Sequence, residues 1–464
     1  MILTMADPVQ KEKRHVAMFP SAGMGHFMPF LHLARTLAIR HGFAVTFITA
    51  AQNVSPTETA HVQRLAASGL DIHIVKLQIN KSQEAEGDPF FAQWEATKAS
   101  MPAFENLLTS DLLKQTPPVS AIITDPVLTP TLSIAAKFNI PTYVLYPSSA
   151  FNLGFMLHAP IADAQGFDFS DEKAVLQIPG FPALGATQIP QAFKVKDHIF
   201  RRIFLASGSE VPKASGIFVN TFEELEQQCL QSLRSRHDLP PVYAIGPLFL
   251  PSEDSSTWDD EAERRCLKWL DAQPAKSVVY VSFGSRSAMS AAQIRELALG
   301  LEMSEQRFLW VLRTSVVDGA GSVEAPVPGG FEERVGERGM IVSCWVPQVK
   351  ILSHVSTAAF VSHCGWNSVV EGLCCGVPIL AWPLFGDQMM NASIVVENAK
   401  AGSEVRKGED GIVSREEVAS GVKAIVQRED LTRAAIGLQQ RGRIAIIEGG
   451  LSDKSLKAAF QLSK

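Results

Sequence analysis

The stretch Trp345–Gln388, WVPQVKILSHVSTAAFVSHCGWNSVVEGLCCGVPILAWPLFGDQ, decides the fold. Inside it, Ala358–Ser362 is a short apolar run that reads as a buried strand. The run ends in His363-Cys364-Gly365-Trp366-Asn367-Ser368 and opens straight into a helical pattern near Asn367–Cys375, after which Pro378–Trp382 reads as another strand. Strand, helix and strand in close succession make a parallel βαβ unit. At its first turn, small and polar side chains and backbone N–H groups meet at a helix N-terminus, a ready place for a diphosphate. Trp345 offers a flat face for a base, and Glu371, one turn into the helix, can accept hydrogen bonds from a ribose. Asp387 and Gln388 suit the hydroxyls of a sugar. Each residue alone has an ordinary structural role, and the specificity lies in their joint spacing.

The same texture extends in both directions. Ser277–Phe283, Phe308–Leu312 and Met340–Cys344 read as further strands, with a helix near Ala291–Glu302 between the first two. Nearer the N-terminus the strands are His15–Phe19, Ala44–Thr49, Asp71–Leu77, Ala121–Thr124, Thr142–Leu145, Gly216–Val219 and Val242–Ile245. Met28–Arg40 is an amphipathic helix with Phe30, Leu33, Ala34 and Leu37 at helical spacing. Between the two series, residues 246–262 (GPLFLPSEDSSTWDDEA) lose all periodicity and read as a linker. The expected organisation is therefore an N-terminal α/β domain over 1–245, the linker 246–262, a second α/β domain over 263–445, and a helical tail over 446–464 that packs back on the first domain. Two doubly wound domains facing across a cleft would gather ligands at the carboxyl ends of their strands.

A second constellation lies at the first of those ends. The strand HVAMF runs into Pro20-Ser21-Ala22-Gly23-Met24-Gly25-His26 and then into a helix. The glycines permit a tight turn, and His26 lands at the helix start, where an imidazole can take a proton from a hydroxyl. On this segment alone, a capping or surface histidine is an equal alternative. Asp125 closes the strand Ala121–Thr124, also at a carboxyl end, and a carboxylate there would orient the ring and stabilise the imidazolium. Beside Pro126 it is otherwise a turn or N-cap aspartate.

Composition excludes several classes. The 464 residues exceed one comfortable core, and 46% hydrophobic with 19% charged residues describes a globular chain. A formal net charge of −6 with no basic stripe argues against nucleic acid. The six cysteines (229, 266, 344, 364, 374 and 375) form no CxxC pair, which points to reduced thiols and no structural zinc. The N-terminal MILTMADPVQKEKRH lacks the apolar core of a signal peptide, and the longest apolar run, Leu373–Phe385, is too short to span a bilayer. A cytoplasmic location is expected. Gly23-x-Gly25 suggests a dinucleotide fingerprint, but Met28 replaces the third glycine and the second strand ends Thr49-Ala50-Ala51 without an acidic residue, so an oxidoreductase is rejected.

The whole Trp345–Gln388 run resembles the donor-binding box of plant secondary-product UDP-glycosyltransferases. The resemblance covers nearly the whole chain and implies a GT-B fold, two facing Rossmann-like domains with the active site in the interdomain cleft. It implies that Trp345, with Val346 beside it, holds uracil, that Gln348 and Glu371 meet the ribose, that His363, Asn367 and Ser368 meet the phosphates, and that Trp366 belongs to the same donor site. Trp382, Asp387 and Gln388 would hold the sugar. Ser285, in VVYVSFGS, matches a further phosphate contact, and Ser148 matches a residue touching sugar or diphosphate. His26 becomes the base and Asp125 its partner, in an inverting displacement that needs no metal. Gln388 closing the box favours UDP-glucose as co-substrate, since galactose-preferring relatives tend to carry His there.

The acceptor is expected to be a small hydrophobic phenol in a cleft lined by Phe90, Phe91, Trp94, Phe151, Phe193, Phe200 and Phe385, each of which also fits plain core packing. PSAGMGHFMPFLHLA, GDPFFAQWEA and SFGSRSAMSAAQIREL resemble the branch that C-glycosylates flavonoids, acting on 2-hydroxyflavanone or phloretin-like polyphenols. An O-glucosyltransferase of small phenolics is the alternative, and a silent sugar-nucleotide sensor a remoter one. A monomer without a membrane span is expected.

Overall fold

The structure is a computed structural model that describes residues 13–50, 56–78, 89–249, 261–284, 289–312 and 327–461. Most of the expected linker, Ser285 and the side chain of Phe90 lie outside the described residues.

The apolar runs of the N-terminal half form a seven-stranded parallel sheet: β1 (His15–Phe19), β2 (Ala44–Ala50), β3 (Ile72–Leu77), β4 (Ala121–Thr124), β5 (Thr142–Tyr146), β6 (Gly216–Val219) and β7 (Val242–Ala244), in the order β3-β2-β1-β4-β5-β6-β7. Every residue of β1, β4, β5 and β6 is buried, as expected of strands covered by helices on both faces. The second half repeats the plan with six strands: β8 (Val278–Ser282), β9 (Arg307–Val311), β10 (Gly339–Val342), β11 (Thr357–Ser362), β12 (Ile379–Ala381) and β13 (Gly402–Glu404), in the order β10-β9-β8-β11-β12-β13. In each sheet the strand order reverses once, between β1 and β4 and between β8 and β11. Ligands of open α/β sheets collect at such reversals.

Helix α1 (Met24–His41) starts four residues before its apolar periodicity suggests. Gly23, at φ 93°, begins it, and the Gly23 carbonyl accepts the N–H groups of His26 (3.0 Å) and Phe27 (2.9 Å). Helix α2 (Pro56–Ala67) and helix α3 (Ala150–Ala164) follow β2 and β5. Ser149 caps α3 by accepting from Asn152 N–H, and the buried carboxylate of Glu226 accepts from the N–H groups of Ala150 (2.9 Å) and Phe151 (3.0 Å). Helix α4 (Trp366–Cys374) follows β11 and begins at Gly365.

The chain end returns across the molecule. Helix α5 (Glu429–Ile446) lies against α4, and α6 (Leu451–Ala459) reaches the first sheet. There the Tyr143 hydroxyl donates to Ala459 O (2.7 Å), and the Phe460 ring packs against Phe43, Tyr143 and Phe218 with centroids 5.1, 5.3 and 5.8 Å away. Burying Phe460 to 6% exposure contributes roughly 2 kcal/mol to holding the tail. All six cysteines are free thiols, and Cys344 alone among them is exposed. Among the described residues no helix is long and apolar enough to cross a membrane.

Candidate active site

The register of the first sheet sets Phe19 beside Thr124, so the residues after β1 and β4 leave the sheet side by side. This brings His26 to Asp125 from 99 positions away, with Nδ1 2.7 Å from Oδ2. Asp125 is fully buried, and its other oxygen accepts Val127 N–H at 3.0 Å. A carboxylate only accepts, so Nδ1 carries the ring proton and Nε2 is left as the basic nitrogen. The imidazole is 28% exposed and lines a cavity of about 380 Å³ between the two sheets.

The second sheet repeats the construction. Ser282 pairs with Ser362, which sets Phe283-Gly284 beside His363. A Cβ on Gly284, at φ +76°, would lie 2.6 Å from His363 Nε2, and one on Gly365 would lie 2.5 Å from it, so glycine at both positions lets the imidazole sit between them. Burial pushes His363 down to about 4, leaving it a neutral hydrogen-bonding group. Cys364 takes a left-handed φ of 62°, rare for a residue with a side chain. Ser362 Oγ accepts its N–H (3.1 Å) and Asn391 Nδ2 donates to its carbonyl (3.0 Å). Backbone strain of this kind gathers where a loop is shaped for function.

Several contacts cross the cleft. Pro29 has no N–H to offer the Gly25 carbonyl one turn back, and Asn367 Nδ2 donates to that carbonyl at 3.1 Å. Trp366 Nε1 donates to Asn220 O (2.7 Å), and the Ser148 hydroxyl donates to Asp387. Asp387 also accepts from Asn391 Nδ2 (2.9 Å), one helical turn onward. The His26 imidazole of one half and the polar loop of the other thus face one space.

Of the expected donor-site residues, Trp345, Val346, Gln348, His363, Trp366, Asn367, Glu371, Asp387, Gln388 and Ser148 all line the cavity. Glu371 is pushed up to about 7 by burial, partly offset by the hydrogen bond from Gln348 Nε2 (2.7 Å). Gln348 also donates to Ser368 Oγ (3.0 Å), and its carbonyl accepts from the Tyr280 hydroxyl (3.3 Å), so its amide serves to orient Glu371. Gln388 Oε1 accepts from the N–H groups of Leu384 (2.8 Å) and Phe385 (3.0 Å), which shapes the loop beside the cavity.

Three expectations need correction. Trp382 does not line the cavity: its ring is 1% exposed and packs edge-on against Phe283, because β12 carries it into the core. Ser368, 8% exposed, is turned toward Gln348 and does not line the cavity either. Of the aromatic acceptor candidates with described side chains, only Phe385, 42% exposed, reaches this space. Phe151 and Phe193 are 2% and 0% exposed core residues, and Phe200 packs on Phe204 at 5.6 Å. Phe91 packs edge-on against His198, and Trp94 donates its indole N–H to Val127 O (2.8 Å).

The sequence also concealed contributors. Asn391 is recognisable only afterwards by its i+4 spacing from Asp387. His32 and Arg35 on α1, and His61 and Arg64 on α2, line the cavity from the N-terminal half. The signal for α1 was the recurrence of Met24, Met28, His32 and Arg35 on one helical face. Among the described residues no group of three or more His, Cys, Asp or Glu side chains is placed to hold a metal ion.

Comparison with known proteins finds relatives over nearly the whole chain. Residues 251–439 match the family model described as UDP-glucoronosyl and UDP-glucosyl transferase. The chain is 40% identical to "UDP-glycosyltransferase CGT" of Oryza sativa subsp. japonica, covering 95% of this chain and 94% of the relative. LpCGTa in complex with UDP superposes with a TM-score of 0.83 at 37% identity, over 97% of this chain and 100% of that one. Phytolacca americana UGT2 complexed with UDP-2fluoro-glucose and pterostilbene gives a TM-score of 0.86 at 31% identity, over 97% and 99%.

Proposed function

This chain belongs to the plant UDP-glycosyltransferases, enzymes of the GT-B fold that use a UDP-sugar donor, and on that premise we propose that it C-glucosylates a phloroglucinol-type polyphenol from UDP-glucose. The observation that carries the carbon linkage is the 40% identity, over nearly the whole chain, to a relative whose name, CGT, abbreviates C-glycosyltransferase.

In the proposed reaction, UDP-glucose lies along the second half's loops. Uracil stacks on Trp345 beside Val346, the ribose meets Glu371, and the diphosphate meets His363, Asn367 and the N-terminus of α4, where the helix dipole favours negative charge. Asp387 and Gln388 face the glucose, with Ser148 opposite. His26 Nε2 takes a proton from a phenolic hydroxyl of the acceptor. The resulting charge spreads to the ortho carbon, which attacks the anomeric carbon from the face opposite UDP. The carbon–carbon bond forms as the bond from the anomeric carbon to the phosphate oxygen breaks, and UDP leaves with the electron pair. The ring carbon then loses its hydrogen as a proton, which restores aromaticity. Asp125, fully buried against Nδ1, stabilises the imidazolium that appears midway. General base catalysis of this kind is worth ~10²–10⁴ in rate.

Oxygen attack uses the same base and donor, and it is the second reading, supported by the neighbour solved in complex with pterostilbene. The separating experiment is incubation with UDP-glucose and phloretin, followed by tandem mass spectrometry. A C-glucoside fragments across the sugar ring, whereas an O-glucoside loses the sugar whole.

A further inference from the structure

Two consecutive residues at the start of α4 reach across the cleft. Trp366 Nε1 donates to Asn220 O at 2.7 Å, and with Trp366 3% exposed and Asn220 fully buried this contact is a fixed anchor between the halves. Asn367 Nδ2 donates to Gly25 O at 3.1 Å, from a half-buried side chain that lines the cavity. What Asn367 grips is the carbonyl bonded directly to His26 N. A peptide unit is planar, so the Gly25 C=O and the His26 N–H move as one rigid piece. Its N–H donates to Gly23 O at 3.0 Å within the first half, while its C=O is held from the second half. The backbone entering His26 passes through two glycines, which restrict it little. A Cβ on Gly25 would meet nothing within 4 Å, so packing on that side does not steady the plane either.

Pro29 makes that carbonyl available. In an uninterrupted helix the N–H of residue 29 would bond to Gly25 O. Proline has no N–H, and its ring presses on the carbonyl four residues back, which tips the carbonyl away from the helix axis. Pro29 is itself buried and does not line the cavity, so it acts on the site through the backbone of α1 alone. The amide of Asn367 carries two hydrogens, so one can hold Gly25 O while the other faces a phosphate. A reacting group misplaced by about 1 Å can cost ~10²-fold in rate, so a hold on the peptide plane of the base bears directly on turnover.

We infer that Pro29 and Asn367 are positioning residues for the base: Pro29 turns the Gly25 carbonyl out of α1, and Asn367 grips it across the cleft, so the loop that meets the diphosphate also sets where His26 stands. This role rests on His26 being the base, so His26→Ala is measured alongside. Single-turnover rates of phloretin glucosylation at saturating UDP-glucose, UDP affinity by calorimetry and Tm are compared for the parent, Pro29→Ala, Asn367→Ala, the double variant and His26→Ala. Alanine at 29 restores the N–H and suits a helix, so Tm is expected to hold or rise. Its rate is expected to fall about threefold to tenfold, the size of one net hydrogen bond, with UDP affinity within about twofold. Asn367→Ala is expected to lose at least as much in rate and to weaken UDP as well, because it faces the diphosphate. In the Asn367→Ala background the Pro29 substitution is expected to cost less than about twofold, since both act through one bond. With His26→Ala inactive, a folded Pro29→Ala enzyme whose rate stays within about twofold of the parent would overturn the inference alone. An equal loss with and without Asn367, or a fall in Tm that accompanies the loss, would overturn it too. Turnover retained in His26→Ala would instead remove the base assignment beneath it. Should either alanine variant fail to fold, Pro29→Ser and Asn367→Asp complete the same cycle, one adding the N–H and the other removing the donor. Coupling between them supports the positioning role, and independent losses refute it.

Discussion

Asp125→Asn is expected to lower kcat by between about tenfold and ten-thousandfold, with UDP affinity held within twofold. The size follows from how the carboxylate is tied. Oδ1 accepts Val127 N–H at 3.0 Å, Oδ2 faces His26 Nδ1 at 2.7 Å, and no solvent reaches either. In asparagine one of these positions must become an NH₂. If the oxygen stays on Val127, the NH₂ donates to Nδ1 and the ring proton moves to Nε2, the nitrogen that should take the phenolic proton. The base is then lost, at ~10²–10⁴ in rate. If the amide flips, the tautomer is right but Val127 N–H faces another donor. A buried donor left unsatisfied costs ~1–3 kcal/mol, which holds the active arrangement to a fraction between ~1/5 and ~1/150. Even that fraction lacks the negative charge that steadies the imidazolium. The assay is steady-state turnover of phloretin at saturating UDP-glucose, with UDP affinity from calorimetry. A folded Asp125→Asn enzyme retaining kcat within threefold of the parent would refute the dyad.

Other outcomes follow from the same cavity. Because Glu371 is pushed up to about 7, and ribose hydroxyls favour its ionised form, UDP binding should release protons near neutrality; affinity should rise from pH 6 to 8, and Glu371→Gln should flatten the trend, as read by calorimetry in two buffers of different ionisation enthalpy. Gly365→Ala should weaken UDP binding by about tenfold, since its Cβ would enter within 2.5 Å of His363 and overpacking costs ~1–3 kcal/mol; equilibrium titration of the folded variant checks this. With equimolar UDP-glucose and UDP-galactose the glucose product should dominate by mass spectrometry, and Trp345→Ala should weaken both donors alike because base stacking does not sense the sugar.

The fold was legible because β1, β4, β8 and β11 are apolar on both faces and each opens into a polar turn, a pattern carried by local sequence. The cavity-lining loop was legible for the same reason: His363 to Glu371 is one continuous strand–turn–helix. What sequence could not supply was direction. Trp382 and Ser368 sit at plausible spacings, yet strand β12 buries one and Gln348 captures the other. The aromatic acceptor candidates failed similarly, because Phe151 and Phe193 lie in segments whose burial depends on distant partners. The N-terminal wall was harder to read: His32, Arg35, His61 and Arg64 belong to ordinary helices, and only the facing of the two sheets brings them to line the cavity. The Asn367 bridge to Gly25 likewise depends on the carbonyl that Pro29 leaves open one turn earlier.

Glucose transfer from UDP-glucose to an aromatic carbon is checked by heating the phloretin product in dilute acid. The expected product is a glucoside that survives unchanged. Return of free phloretin would show an oxygen linkage and rule out carbon transfer, leaving the cavity and the His26–Asp125 pair to serve an O-glucosyltransferase.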